Sequence, residues 1–111
     1  MKGFLAFPLI FIFAVFFPLN VHAQCSKVTI TSLGSCAGQP AGSSRIAIKN
    51  NGNQEVRQEI NVNWRHGIDR GTSVRSYDLI PGQQQVLGCT VMHGLPYYYY
   101  YSYSKKSCSP L

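Results

Sequence analysis

The chain has 111 residues, with ten Lys and Arg against four Asp and Glu, a formal charge of +6. All six Phe lie in the first 17 residues, whereas all seven Tyr, the single Trp and all four Cys lie after residue 23. Two such unlike pieces read as a targeting segment followed by one small domain. That excludes a multidomain protein and a large enzyme core.

Lys2 precedes an uncharged apolar stretch, residues 4–19, that carries Pro8 and Pro18. The stretch is shorter than the roughly 20 residues of a spanning helix. Val21-His22-Ala23 meets the small-residue rule of signal peptidase, so residues 1–23 are expected to be a signal peptide cleaved after Ala23. The rival readings are an uncleaved anchor and a lipid anchor on Cys25, which Gln24 directly before it fits badly. The expected product, residues 24–111, has a net charge of +5, no transmembrane segment, and a secreted or periplasmic location. A domain of this size is marginally stable on its core alone and calls for staples.

Cys25, Cys36, Cys89 and Cys108 supply them. An even count in a short exported chain reads as two disulfides. Zinc sites use close cysteine pairs, and no two cysteines here are nearer than 11 positions. Zinc and a free thiol remain the rivals.

From residue 24 onward the dominant pattern is period 2, the mark of half-buried strands. Residues 27–31 place Val28 and Ile30 on one face. A loop of Gly, Ser, Ala and Pro covers 32–43. Residues 45–49 alternate again, with Ile46 and Ile48 inward, and Asn50-Asn51-Gly52-Asn53 forms a turn. In residues 55–65, Val56, Ile60, Val62 and Trp64 share a face with one polar member, Gln58. Glu55, Arg57, Glu59, Asn61, Asn63 and Arg65 share the other. Residues 66–71 read as a loop. The strand 72–79 has Val74 out of phase with Tyr77 and Leu79, which predicts a bulge near Arg75-Ser76. Pro81-Gly82 turns the chain into a strand over 83–90, with Leu87 and Cys89 inward. A loop over 91–96, a last strand over 97–104 and a tail over 105–111 complete the domain. No helix and no internal repeat is evident. Six or seven short strands predict an all-β fold, an antiparallel β-sandwich or small barrel.

Strand direction then constrains the cysteines. If the strands alternate up and down, Cys25 and Cys108 fall at one end and Cys36 and Cys89 at the other. This predicts Cys25–Cys108 and Cys36–Cys89. Each bridge closes a loop long enough to be worth about 4 kcal/mol in the chain-entropy account.

The segment RIAIKNNGN (45–53), the alternating strand ending in Trp64, and Tyr77-Asp78-Leu79-Ile80-Pro81-Gly82 carry a resemblance. Together, over Ser44 to Thr90, they resemble bacterial immunoglobulin-like modules of the CARDB-like kind, across about half of residues 24–111. The resemblance implies an immunoglobulin-like sandwich and an extracytoplasmic binding, adhesive or assembly module without catalytic residues. The two cystines and the tyrosine run are not part of that pattern.

The run Tyr97 to Tyr101, with Tyr103, is the most unusual feature. Alternation puts Tyr97, Tyr99, Tyr101 and Tyr103 on one face and Tyr98, Tyr100, Ser102 and Ser104 on the other. The odd face completes a core; the even face offers Tyr98 and Tyr100 as a platform for sugars or protein surfaces. Lys105 and Lys106 stand after the run as charge gatekeepers. Arg45, Lys49, Arg57 and Arg65 fall on outward positions of two strands and read either as a solvated sheet face, with Glu55 and Glu59 nearby, or as a cationic stripe for anionic polymers. His66, Asp69 and His93 sit in two loops that the up-down topology places at one end, where they are candidates for metal or acid–base chemistry. No motif supports a nucleotide, ester or metalloprotease site, and four carboxylates in all argue against a glycosidase. The expected protein is a non-catalytic binding module for a glycan, an envelope component or a protein partner, using Tyr98, Tyr100, Arg57 and Arg65. It takes no cofactor and reads no specific nucleic acid. The alternatives are a cationic secreted effector acting on anionic surfaces and, remotely, a small metal-dependent hydrolase.

Overall fold

The computed structural model describes residues 24–111; the signal peptide expected over residues 1–23 and its expected cleavage after Ala23 lie outside the described residues. After one helical turn at residues 24–26, seven strands follow: β1 (Val28–Ser35), β2 (Ser44–Asn50), β3 (Val56–His66), β4 (Asp69–Leu79), β5 (Gln84–Cys89), β6 (Val91–Met92) and β7 (Tyr99–Pro110). They form two antiparallel sheets, a three-stranded one in the order β1-β2-β5 and a four-stranded one in the order β4-β3-β7-β6. This is the two-sheet sandwich the strand pattern predicts.

Alternation builds the core. Along β3, Val56, Gln58, Ile60 and Val62 are buried while Arg57 and Asn63 between or beyond them are exposed. Leu79 from β4 joins them, and Val28, Ile48 and Leu87 meet them from the smaller sheet. Burying each such aliphatic side chain stabilises the fold by roughly 1.5–3 kcal/mol. The core ends at Val62. Trp64 continues the same face only half-buried, lying against Gly71, where a Cβ would come within 2.8 Å of the indole ring.

Of the three polar residues buried among the described residues, Ser43, Gln58 and Asn50, the two amides are held inside by backbone groups that need partners. Register between β3 and β7 slips between Gln58 and Ile60, which leaves Glu59 without a ladder partner on β7. The Gln58 amide donates to the Glu59 and Ser107 carbonyls, both at 2.9 Å, and so satisfies what the bulge frees. Asn50 is wholly buried. Its Nδ2 donates to the Gln54 and Leu79 carbonyls and its Oδ1 accepts from Gly52 N–H, each at 2.9 Å. One amide thereby ties the β2–β3 turn to the end of β4.

Turn chemistry sets the connections. His66 pairs with Asp69, so Gly67-Ile68 is a two-residue hairpin loop. Gly67 has φ +62° while Ile68 is not left-handed, the pattern of a type II′ turn with glycine first. Between β4 and β5, Gln83 N–H donates to the Ile80 carbonyl, with Pro81 second and Gly82 third at φ +81°. That is a type II turn with its preferred residues.

Both disulfides pair as the strand directions predict. Cys25–Cys108 joins the segment before β1 to β7, with Cα atoms 5.8 Å apart. Cys36–Cys89 joins the ends of β1 and β5, with Cα atoms 5.9 Å apart.

Several details differ from the sequence reading. The β3–β4 ladder runs unbroken from Val56–Leu79 to His66–Asp69, so there is no bulge at Arg75-Ser76. Phase is kept by leaving Val74 on the outer face, 45% exposed. The loop expected over 66–71 shrinks to two residues, because the glycine turn lets pairing resume at Asp69. The expected tail is strand: β7 continues to Pro110, held by its ladder with β3. Lys105 is therefore not a free flanking charge; its Nζ donates to the Val28 carbonyl across the sandwich at 2.8 Å. Tyr97 precedes β7 and is 60% exposed rather than part of the core face.

Candidate functional site

The outer face of the larger sheet is organised in cross-strand rows. On it β3 presents Arg57, Glu59, Asn61, Asn63 and Arg65, the alternation partners of the core residues. Near the hairpin, one row reads Thr72–Asn63–Ser102 and the next reads Arg70–Arg65–Tyr100. These rows line an open cleft of about 440 Å³. A second cleft of about 480 Å³ adjoins it and is lined by Tyr97, Tyr98, Pro96 and Gly67. Arg65 and Tyr100 line both, so this pair forms the ridge between the two.

Arg65 lies over the Tyr100 ring, its guanidinium carbon 4.9 Å from the ring centre. The stack fixes a long side chain through its flat face and leaves its N–H edge free to donate. Tyr98 and Tyr100 are 43% and 41% exposed. Tyr98 is braced from the side by the His93 ring, edge-on with centres 5.6 Å apart. In the next row Thr72 Oγ1 donates to Asn63 Oδ1 at 2.7 Å.

The structure thus brings together three of the four expected contact residues, Tyr98, Tyr100 and Arg65, and separates the fourth. Arg57 is eight positions down β3, about 26 Å away at the usual strand rise. There it makes a two-point pair with Asp78, at 2.7 and 3.1 Å. That pair raises the Arg57 pKa and holds the Asp78 carboxyl below the usual carboxylate range, through the hydrogen bond first and charge second for Arg57. The expected cationic stripe is also divided. Arg45 and Lys49 belong to β2, and Arg57 and Arg65 to β3, which lie in different sheets. Two strands consecutive in sequence need not be neighbours in a sandwich.

Arg70 was missed by the sequence reading, which placed it in a loop. The signal that finds it is the hairpin: a two-residue Gly67-Ile68 turn puts residue 70 opposite residue 65. The candidate histidines each pack on tyrosine rings. His66 stacks on Tyr99 with centres 4.1 Å apart and meets the edge of Tyr97 at 6.3 Å. Its register partner is Asp69, but His93 packs on Tyr98 instead. Among the described residues no group of three or more His, Cys, Asp or Glu is placed to hold a metal.

Fold and site together define a disulfide-linked β-sandwich that carries an aromatic and cationic cleft on one sheet face. Comparison with protein-family models, curated proteins and solved structures finds no match to this chain.

Proposed function

We propose that residues 24–111 are a non-catalytic extracytoplasmic binding module that meets a glycan, an envelope component or another protein through the outer face of the β3–β7 region. Tyr100 on the outer face of β7 and Tyr98 just before that strand, both partly exposed, stand with Arg65 along two adjoining clefts, and this carries the reading. Rigid amphipathic rings beside a fixed guanidinium lose little entropy on binding. Two cystines support an oxidising, extracytoplasmic location, and with it export by a signal peptide cleaved after Ala23. The CARDB-like kinship belongs to the same reading. Its Tyr77–Gly82 segment turns from β4 toward β5, and Gly82 N–H donates to the Asn50 carbonyl at 2.8 Å.

The test is retention of the protein on a glycan and protein array, compared with a Tyr98→Ala, Tyr100→Ala double variant. Both rings lie outside the core, so the variant should lose retention while melting as the parent does. Retention unchanged in the double variant would remove this face from the function.

A further inference from the structure

We infer that the paired clefts are a binding site for an acidic sugar chain, one whose residues bear carboxylates, with Arg65 and Arg70 as its anion clamp. The inference rests on the binding-module reading above and names its ligand class.

Arg65 and Arg70 stand directly opposite each other in the β3–β4 ladder. Like charges in that relation destabilise a sheet. Neither has a carboxylate partner, since the ion pair among the described residues is Arg57–Asp78. Asp69, next in sequence to Arg70, alternates to the other face. Two exposed arginines on backbones one strand spacing apart, about 4.8 Å, offer two forks to an acidic ligand, and Arg binds a carboxylate through two parallel hydrogen bonds.

The clefts share Arg65 and Tyr100 and continue on both sides of them. A lone small anion fills neither, whereas an extended chain lies along both. On one side the ligand meets Tyr98 and the part of Tyr100 that Arg65 leaves open, aromatic surface that suits the apolar face of a pyranose. On the other it meets Asn63 and Ser102. Thr72 occupies Asn63 Oδ1, which orients the Asn63 NH₂ group as a donor toward sugar hydroxyls. Beside its polar side chains this first cleft is lined by Trp64, whose ring adds a second flat surface for a pyranose. Two arginines are few for a nucleic-acid backbone, whose affinity comes from neutralising many phosphates.

The probes are oligogalacturonate, the same oligomer with its carboxyls methyl-esterified, galacturonic acid monomer, and a single-stranded oligonucleotide of equal charge, titrated against the purified disulfide-bonded protein. Oligogalacturonate is expected to bind, and esterification to weaken it at least tenfold. The monomer is expected to bind at least tenfold more weakly than the oligomer, because it engages one cleft. Arg70→Gln and Arg65→Lys should each weaken binding at least tenfold, the second because it keeps charge and loses the fork. Lys106→Gln, exposed on β7 away from the clefts, should change it less than twofold. Arg70→Gln relieves a repulsion, so its melting temperature should not fall. Equal losses for Arg70→Gln and Lys106→Gln would overturn the inference in favour of bulk charge. Tighter binding of the oligonucleotide with the same Arg dependence would overturn it in favour of nucleic acid. Silence toward every uronate probe, with Tyr98- and Tyr100-dependent retention on another ligand intact, would sink the acidic-sugar assignment and leave the module reading standing.

Discussion

Asn50 offers the sharpest test of the fold. The Asn50→Ala substitution removes three hydrogen bonds at once from a side chain with no solvent exposure. The bond to the Leu79 carbonyl is buried, so its loss strands an acceptor at about 1–3 kcal/mol. The bonds involving Gln54 and Gly52 are only partly buried, and water can replace them at about 0.5–1 kcal/mol each. The sum is about 3 kcal/mol. For a domain of this length it lowers the melting temperature by roughly 12–24 °C. Denaturant unfolding of the disulfide-intact protein measures it, with an unchanged m-value confirming that the unfolded state is the same. The control is Asn53→Ala, an exposed neighbour in the same turn, expected within about 0.5 kcal/mol of the parent. Equal effects for the two variants would refute the account of Asn50 as the tie between the β2–β3 turn and β4.

Tyr103 and Asp78 give the pH dependence. Burial pushes the Tyr103 phenol above its ordinary value, with Arg75 partly opposing. The neutral phenol is therefore favoured by folding, and its contribution is complete below the ordinary tyrosine range and is lost as pH rises through the raised value. Tyr103→Phe should flatten the alkaline limb of the stability curve and, because the hydroxyl donates to the Cys89 carbonyl, cost about 1 kcal/mol at neutral pH; an unaltered alkaline limb would contradict this. Asp78 behaves in the opposite sense. The hydrogen bond from Arg57 lowers its pKa, so its small contribution is present above the ordinary carboxylate value and fades as pH falls through the lowered one. Asp78→Asn should reduce the acid slope measured by thermal melts between mildly acidic and strongly acidic buffers, without changing binding at the Arg65 clefts.

Period-2 alternation carries one bit per residue, the face on which a side chain lies. That bit was enough to place Val56, Ile60, Val62 and Leu79 inward, to send Tyr100 to the face opposite Tyr99, Tyr101 and Tyr103, and, with strand direction, to pair the four cysteines, whereas Tyr98 lies before β7 and follows no strand phase. It fails where the missing quantity is the identity of a neighbour. Nothing in the spacing of Arg45, Lys49, Arg57 and Arg65 says that β2 and β3 join different sheets. Nor does alternation show that Asn50, in an apparently soluble turn, reaches the Leu79 carbonyl 29 positions away. The residues after Ser104 escape for a related reason. Their pairing with β3 is a backbone matter, largely indifferent to whether the side chains are Lys, Ser or Pro.

The composition and the order of polar and apolar residues therefore settled the fold class, the two faces of each strand and the cystine scheme, since burial and chain direction act locally. Only the folded sheets could decide that Arg65 faces Arg70 and lies on Tyr100 while Arg57 is neutralised far away. Cross-strand register joins distant positions through backbone hydrogen bonds, and those bonds are blind to the side chains they bring together.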